Sequence, residues 1–357
     1  MFSVRVRQFD VPLALETGQT ILDAALKLEL PYPHGCRSGN CGACKSELLS
    51  GEVEMAPYSE YALSAAEKAA GLILACRAVA WSDCEVRFLE QDETVAHPLR
   101  HLEARVEALR QATHDIRVLT LEILSGGPFS FSAGQYASVG FAGLPARDYS
   151  MANRPDETRL EFHIRLVPGG AVTPYVAERV RVGDPVKIIG PSGTSHWRER
   201  HTGPIVALAG GSGLAPIKSI VETALGAGAR QPIAVYFGVR DERDLYLEDH
   251  FRGLAERHSN LTFIPVLSTP AGATRRRTGF LAETLRQDFA TLDGAKAYLA
   301  GPPAMVETAL ETLAALGLRR QDCHADIFYT EADKATGGGA TDTGAAVAAP
   351  PPTARVS

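Results

Sequence analysis

His34-Gly35-Cys36-Arg37-Ser38-Gly39-Asn40-Cys41-Gly42-Ala43-Cys44 sets three cysteines in C-x4-C-x2-C spacing, and Cys76 follows at a distance as a fourth. Thiolates hold a [2Fe–2S] cluster at this spacing, three from one looping segment and one from elsewhere. Four thiolates load negative charge onto one small group, so nearby backbone N–H groups must turn inward to hydrogen-bond the sulfurs. Gly35, Ser38, Gly39, Gly42 and Ala43 leave room for that approach. A structural zinc site is the competing reading, but zinc sites usually pair two short hairpins such as C-x2-C with C-x2-C. One triplet plus a singleton points instead to a chain that moves electrons.

Composition agrees with a multi-domain globular protein. The chain has 357 residues, 45% of them hydrophobic, and a length prior of two to three domains. A net charge of −6 argues against nucleic acid as a partner. No run approaches the roughly 18 apolar residues of a membrane span, which predicts no membrane association. Met1-Phe2-Ser3-Val4-Arg5-Val6-Arg7 alternates like an edge strand and lacks a signal peptide's apolar stretch. With four of six cysteines claimed by the cluster, Cys84 and Cys323 make no disulfide framework. They are expected as ordinary buried thiols in a reducing, cytoplasmic setting.

The chain divides into three globular pieces and a tail. Residues 1–92 hold the cysteines on short alternating strands and a helix that starts at Thr20, with Asp23 three positions on. Gln91 to Pro98 is polar, ends in proline and reads as a linker. Residues 102–198 alternate as strands throughout, for example Leu119-Leu121-Ile123 and Leu160 to Ile164. Residues 203–330 change to a βαβ rhythm, with Pro204 to Ala209 and Ile233 to Phe237 as buried parallel strands. Residues 331–357 are rich in Ala, Gly, Pro and Thr and read as a disordered tail.

Within the β piece, Arg147-Asp148-Tyr149-Ser150 puts an arginine and an aromatic on one strand face with a serine adjoining. Such a face can hold a flavin: Tyr149 packing on the ring, Ser150 hydrogen-bonding near its reactive nitrogen, Arg147 pairing with phosphate. Alone, the string is weak and reads by default as an ordinary exposed strand end. A second signal lies about twenty residues on, where Gly169-Gly170-Ala171-Val172-Thr173 opens the helical Pro174 to Arg179. Glycines and a hydroxyl at a helix start make an anion site, which favours FAD, with its pyrophosphate, over FMN.

The βαβ piece carries Gly210-Gly211-Ser212-Gly213-Leu214-Ala215-Pro216 between a buried strand and an apolar helix. Glycines there let a nucleotide phosphate approach the helix start, although G-x-G-x-x-G is absent. Tyr298 to Met305 holds a second strand-to-helix turn, opened by Gly301-Pro302-Pro303. Two such turns on one parallel sheet would share its ligand-binding edge.

This order of motifs resembles the ferredoxin–NADP reductase superfamily and, more closely, the reductase components of bacterial aromatic-ring oxygenases that carry an N-terminal plant-type ferredoxin. The resemblance spans residues 1 to about 330. It implies a multi-domain α+β and α/β protein: a β-grasp ferredoxin domain, an antiparallel β-barrel for FAD and a parallel sheet for the nicotinamide coenzyme. It implies Cys36, Cys41, Cys44 and Cys76 as cluster ligands. It assigns Arg147, Tyr149, Ser150, Arg165, Gly169, Gly170 and Thr173 to the flavin, and Gly210, Gly211, Gly213, Pro216, Gly301 and Pro302 to the coenzyme. Phe328 or Tyr329, at the chain's last strand, would cover the flavin. Many relatives have cysteine before Gly-Pro-Pro; here it is Ala300. Hydride transfer needs close, oriented rings rather than a thiol, so this departure bears on rate and geometry.

The implied activity is an NADH:acceptor oxidoreductase, passing electrons from NADH through FAD and the cluster to a terminal oxygenase. Tyr149 and Ser150 are the candidate catalytic residues. Two alternatives stay open: a reductase of similar plan serving a diiron monooxygenase or sugar-nucleotide deoxygenation, and a non-enzymatic electron carrier or redox sensor. No oxygenase chemistry is expected on this chain, because Cys323-His324 is not a Rieske ligand pair. His97, His101, His196 and His201 read as solvated rather than as metal ligands. Gly238 to Tyr246 mixes Arg240 and Arg243 with acidic residues, and the resemblance tips the coenzyme toward NADH.

Overall fold

The computed structural model describes residues 2–330 apart from 61, 90–92, 94 and 96. The tail expected at 331–357 and part of the expected linker lie outside the described residues.

The N-terminal sheet runs Leu13–Leu15, Phe2–Val6, Cys84–Phe88, Lys45–Ser50, Leu72–Leu74. Phe2–Val6 was expected at an edge but lies inside, parallel to Cys84–Phe88 and antiparallel to Leu13–Leu15. Alternation reports only that one face is buried, here by Val4 and Val6; it carries no information about hydrogen-bonded neighbours. The helix Ile21–Lys27 covers this sheet with Ile21, Leu22, Ala24 and Ala25 buried. Thr20 caps it, its hydroxyl oxygen accepting from the Asp23 amide at 3.1 Å.

The second sheet has six antiparallel strands in the order Arg147–Ser150, Tyr136–Phe141, Pro185–Ser192, Arg100–Gln111, Ile116–Ser125, Arg159–Arg165. Leu102, Ala104 and Val106 point inward while their sequence neighbours are exposed, the period-2 signature of a half-buried strand. A bridge from Met151 to Phe162 links the two ends, curling the sheet toward a barrel. Leu119, Leu121, Val139, Phe162 and Ile188 fill its interior.

The third sheet is parallel: Arg277–Thr278, Leu261–Leu267, Ile233–Val239, Ile205–Gly210, Lys296–Gly301, Cys323–Ile327. Ile205–Gly210 is buried along its whole length, as a central strand with helices on both faces must be. Leu214–Gly226 and Glu248–Arg257 pack on one face, Leu281–Asp288 and Pro303–Ala315 on the other. Strand order reverses between Ile205–Gly210 and Lys296–Gly301, so the crevice beyond their C-terminal ends is the topological switch point. Among the described residues no helix is long and apolar enough to cross a membrane.

Candidate functional site

The cysteine loop is built around its sulfurs. The Cys36 amide donates to the Cys41 sulfur at 3.3 Å, and the Asn40 amide to the Cys36 sulfur at 3.2 Å. A Cβ on Gly35 would lie 3.0 Å from the Cys41 sulfur. Gly39 has φ +80°, and a Cβ there would meet Tyr58 Cβ at 2.9 Å, so the turn admits only glycine. The sulfurs face each other in two pairs, Cys36 with Cys41 and Cys44 with Cys76. The facing sulfur and then burial push the Cys41 and Cys44 thiols up.

Among the described residues, His114, Asp115 and Asp244 are the one trio with ligand atoms all within 4.8 Å of one another. No three of the cysteine sulfurs converge as they would on one tetrahedral ion with Zn–S bonds of about 2.3 Å. Two pairs of thiols suit two irons, and inward-turned amides suit the charge of a [2Fe–2S] cluster. The histidine trio itself is neutralised by arginine: Asp115 pairs with Arg165 and Arg240 at 3.2 Å each, and Asp244 with Arg240 at 3.0 Å.

A cleft of ≈ 1880 Å³ runs from Cys36 and Cys41 past Arg147, Tyr149 and Ser150 to Gly170 and Thr173, and on to Gly210 and Pro302. Ordinary small-molecule pockets hold about 300–1,000 Å³, so there is room for more than one mononucleotide. Arg165, Gly169, Phe328 and Tyr329 line it too. Among the described residues the buried Tyr149 hydroxyl has no hydrogen-bond partner, and burial pushes its pKa up to about 12. An orphaned hydroxyl on this wall fits a polar cofactor seated against it. Thr173 opens a six-residue helix, and its hydroxyl oxygen accepts from the Val167 amide at 2.8 Å, which pins the preceding glycine turn. The terminal strand ends at Ile327, and Phe328 and Tyr329 lie just past it, the Phe328 amide donating to Gly301 O at 2.9 Å.

The two glycine turns of the parallel sheet meet at the switch point. Gly301 has φ +149°, and a Cβ on it would lie 3.1 Å from Gly210 Cα. A Cβ on Gly213 would overlap the Ala300 carbonyl, at 2.0 Å. Gly211 and Pro302 border open space, and Gly210 lines the same pocket while packed against Pro302 and Met305, whereas Gly213 and Pro216 are buried in the packing behind.

Three residues near these motifs carried no recognised signal of their own. Asp326 accepts from the Ser150 hydroxyl at 2.6 Å, and burial pushes its carboxyl up to about 6 while that bond opposes the shift. His163 lies fully buried, Nδ1 hydrogen-bonded with the Tyr246 hydroxyl at 3.0 Å and Nε2 facing Glu161 at 3.1 Å; burial pushes its pKa down. Tyr136 reaches across to the cysteine loop, donating to Gly35 O at 2.7 Å. One expectation is corrected: His196 is not solvated but 5% exposed, its Nδ1 at 3.0 Å from Trp197 O. Trp197 and the fully buried Arg198 draw that loop inward. Cys84 and Cys323 are buried thiols, as expected.

Residues 5–80 match the 2Fe-2S iron-sulfur cluster binding domain family, 103–197 the oxidoreductase FAD-binding domain and 207–311 the oxidoreductase NAD-binding domain. The reductase component of the naphthalene 1,2-dioxygenase/salicylate 5-hydroxylase systems of Ralstonia sp. is 42% identical, over 91% of this chain and 98% of its own. The naphthalene 1,2-dioxygenase system reductase component of Pseudomonas putida is 39% identical, over 89% and 95%. Among solved structures, the Amycolatopsis cytochrome P450 reductase GcoB is 37% identical, with a TM-score of 0.77 over 92% of this chain and 99% of that one. Thiol pairs, an orphaned tyrosine on a long cleft and two touching glycine turns are thus joined, over almost the whole length, to oxidoreductases of one plan. The chain belongs to the ferredoxin–NAD(P)+ reductase components of oxygenase systems, flavin- and iron–sulfur-dependent oxidoreductases that deliver electrons from a nicotinamide coenzyme to a terminal oxygenase.

Proposed function

We propose that this chain is the NADH-dependent reductase of an aromatic-ring-hydroxylating dioxygenase, acting in the cytoplasm through three units at residues 1–92, 102–198 and 203–330. The single observation that carries the reading is the continuous cleft from the paired thiols to the switch point of the parallel sheet. The naphthalene-system relatives, at 42% and 39% identity, favour an aromatic substrate for the partner over the propane 2-monooxygenase system, whose Gordonia reductase is 34% identical. Free cysteines and dependence on reduced coenzyme suit a reducing compartment.

In this reading Cys36 and Cys41 ligate one iron, and Cys44 and Cys76 the other. Arg147 pairs with flavin phosphate, Tyr149 packs on the ring and Ser150 hydrogen-bonds at its edge, held in place by Asp326. Arg165, Gly169, Gly170 and Thr173 shape the pyrophosphate end. Gly210, Gly211 and Pro302 border the coenzyme, while Gly213, Pro216 and Gly301 let the two turns approach closely. Phe328 and Tyr329 shield the flavin face and exclude water. Bound together, these groups match a two-electron hydride donor to a one-electron acceptor, the flavin taking a hydride and the cluster passing single electrons.

The test is Cys76→Ser. NADH-dependent reduction of ferricyanide, which can draw electrons from flavin directly, should persist with full flavin content, whereas reduction of the terminal oxygenase should collapse with the iron and acid-labile sulfide. Oxygenase reduction that survives loss of the cluster would overturn the order of carriers.

A further inference from the structure

The cysteine loop and the flavin sheet are separate pieces of chain, and electrons must cross between them. Among the described residues, one hydrogen bond joins residues 2–89 to residues 97–330: the Tyr136 hydroxyl to Gly35 O at 2.7 Å. Both of its ends are placed at the chemistry. Gly35 directly precedes Cys36, and a Cβ on it would lie 3.0 Å from the Cys41 sulfur, so its peptide is part of the wall around the thiols. Tyr136 begins the strand Tyr136–Phe141 and pairs in register with Ser150, the last residue of Arg147–Ser150.

The ring of Tyr136 is seated as well as tethered. It rests on Gly193, where a Cβ would come within 2.9 Å of the ring and where φ is +98°. Loss of a side chain there gives the aromatic a fixed floor. The phenol is half-buried, and desolvation first and the Asp148 charge next hold its pKa well above the usual tyrosine range. It is therefore a donor throughout the working pH range, never a competing anion.

We propose that Tyr136 is a positioning residue that clamps the cluster loop onto the flavin sheet, so that the internal electron-transfer step depends on its hydroxyl. The proposal rests on the cluster-and-flavin reading above and adds to it the residue that fixes the gap. With flavin and cluster bound, NADH would yield NAD+, one proton and two electrons. These would cross from flavin to cluster one at a time, each reducing one of the two ferric ions and passing on to the terminal acceptor before the next follows. Tunnelling decays steeply with separation, so any loosening of the loop appears in this step and not in the hydride step, which lies between the flavin sheet and the parallel sheet. A neutral hydrogen bond is worth about two- to tenfold in an equilibrium.

The experiment compares wild-type and Tyr136→Phe holoenzyme, which differ by one oxygen. In anaerobic stopped-flow with NADH, flavin bleaching should be unchanged while cluster reduction slows about two- to tenfold. Hydrogen–deuterium exchange is the second readout: backbone amides of residues 34–44 should exchange faster by a similar factor, with those of Ile205–Gly210 unchanged. Iron and flavin contents should match wild type. Unchanged cluster reduction, unchanged loop exchange, an equal slowing of both electron steps, or loss of iron or flavin would each overturn the clamp. Failure of the underlying reading shows itself separately, as wild-type protein with no cluster or flavin signal to follow.

Discussion

Replacing Lys218 with methionine should destabilise the union of flavin and nicotinamide units more than any surface change. Lys218 lies on the helix Leu214–Gly226 and is 9% exposed, yet its ammonium is fully engaged. It donates to Ala152 O at 3.0 Å and lies 3.3 Å from both Glu161 of the flavin sheet and Glu222 one helical turn on. Glu222 also meets His250 at 2.5 Å, and Glu161 meets His163 at 3.1 Å. Beside the lysine, the Ser219 hydroxyl donates to Asn153 O at 2.7 Å. Removing the cation that both contact leaves two half-buried carboxylates, Glu161 and Glu222, without their shared partner, a loss of the order of 3–5 kcal/mol. At about 2–4 °C per kcal/mol for a unit of this size, Tm should fall by roughly 6–20 °C.

Acid titration gives an independent check on the same network. Burial opposes ionisation of Glu161, but the His163 bond and the Lys218 charge outweigh it, bringing the carboxyl from 4.5 down to about 2. A carboxylate with a depressed folded pKa stabilises the protein above its unfolded pKa, and that contribution fades as pH falls from about 4.5 toward 2. The shift corresponds to about 3 kcal/mol at neutral pH. Lys218→Met should flatten this part of the acid unfolding curve, read by near-ultraviolet circular dichroism. A triple variant that also carries Glu161→Gln and Glu222→Gln should recover much of the lost Tm, because neutral groups escape the uncompensated charge. A Tm within about 2 °C of wild type for Lys218→Met would refute the argument, since less than about 1 kcal/mol would then be at stake.

Two further outcomes are expected. Arg147→Ala should weaken flavin retention by over about tenfold, because a charge-assisted bond to phosphate is worth roughly 1.5–3 kcal/mol, while iron content stays at wild type; unchanged flavin after dilution and gel filtration would place the arginine elsewhere. NADH should be preferred over NADPH in kcat/KM, since Arg240 is already held by Asp244 at 3.0 Å and Asp115 at 3.2 Å and is not available to a 2′-phosphate. A preference for NADPH would mean that this pairing opens or that the exposed Arg243 sets the site.

The motifs were legible where the chemistry is local in sequence. The triplet Cys36, Cys41 and Cys44, the strand Arg147–Ser150 and each glycine turn fit within a dozen residues, so each proposed site has most of its pattern in one segment. The positions of Gly35 against the Cys41 sulfur and of Gly301 against Gly210 give the physical reason: a side chain there would strike the site itself. Burial of one face was also legible, as in Val4 and Val6, but sheet position was not. Strand pairing depends on Cys84–Phe88, with Val4 opposite Cys84 and Val6 opposite Val86, which turns the expected edge into an interior strand.

What sequence could not supply are the contacts between units, and these decide how the carriers cooperate. Ser150 and Asp326 are drawn together across the flavin sheet and the terminal strand, and Tyr136 and Gly35 across the cluster gap. In each pair one partner, Ser150 or Gly35, belongs to a recognised motif, but the other, Asp326 or Tyr136, is marked by neither composition nor period. A tyrosine that begins a strand resembles any β-former, and an aspartate in a short strand resembles any solvated carboxylate. Both gain a role only because folding buries a polar atom beside a single partner, where leaving it unmade would cost about 1–3 kcal/mol. On the proposed reading most of each carrier site lies in one segment, whereas the contacts between units are isolated polar pairs. Substitutions at Tyr136 or Lys218 should therefore disturb communication between cofactors before they disturb cofactor binding.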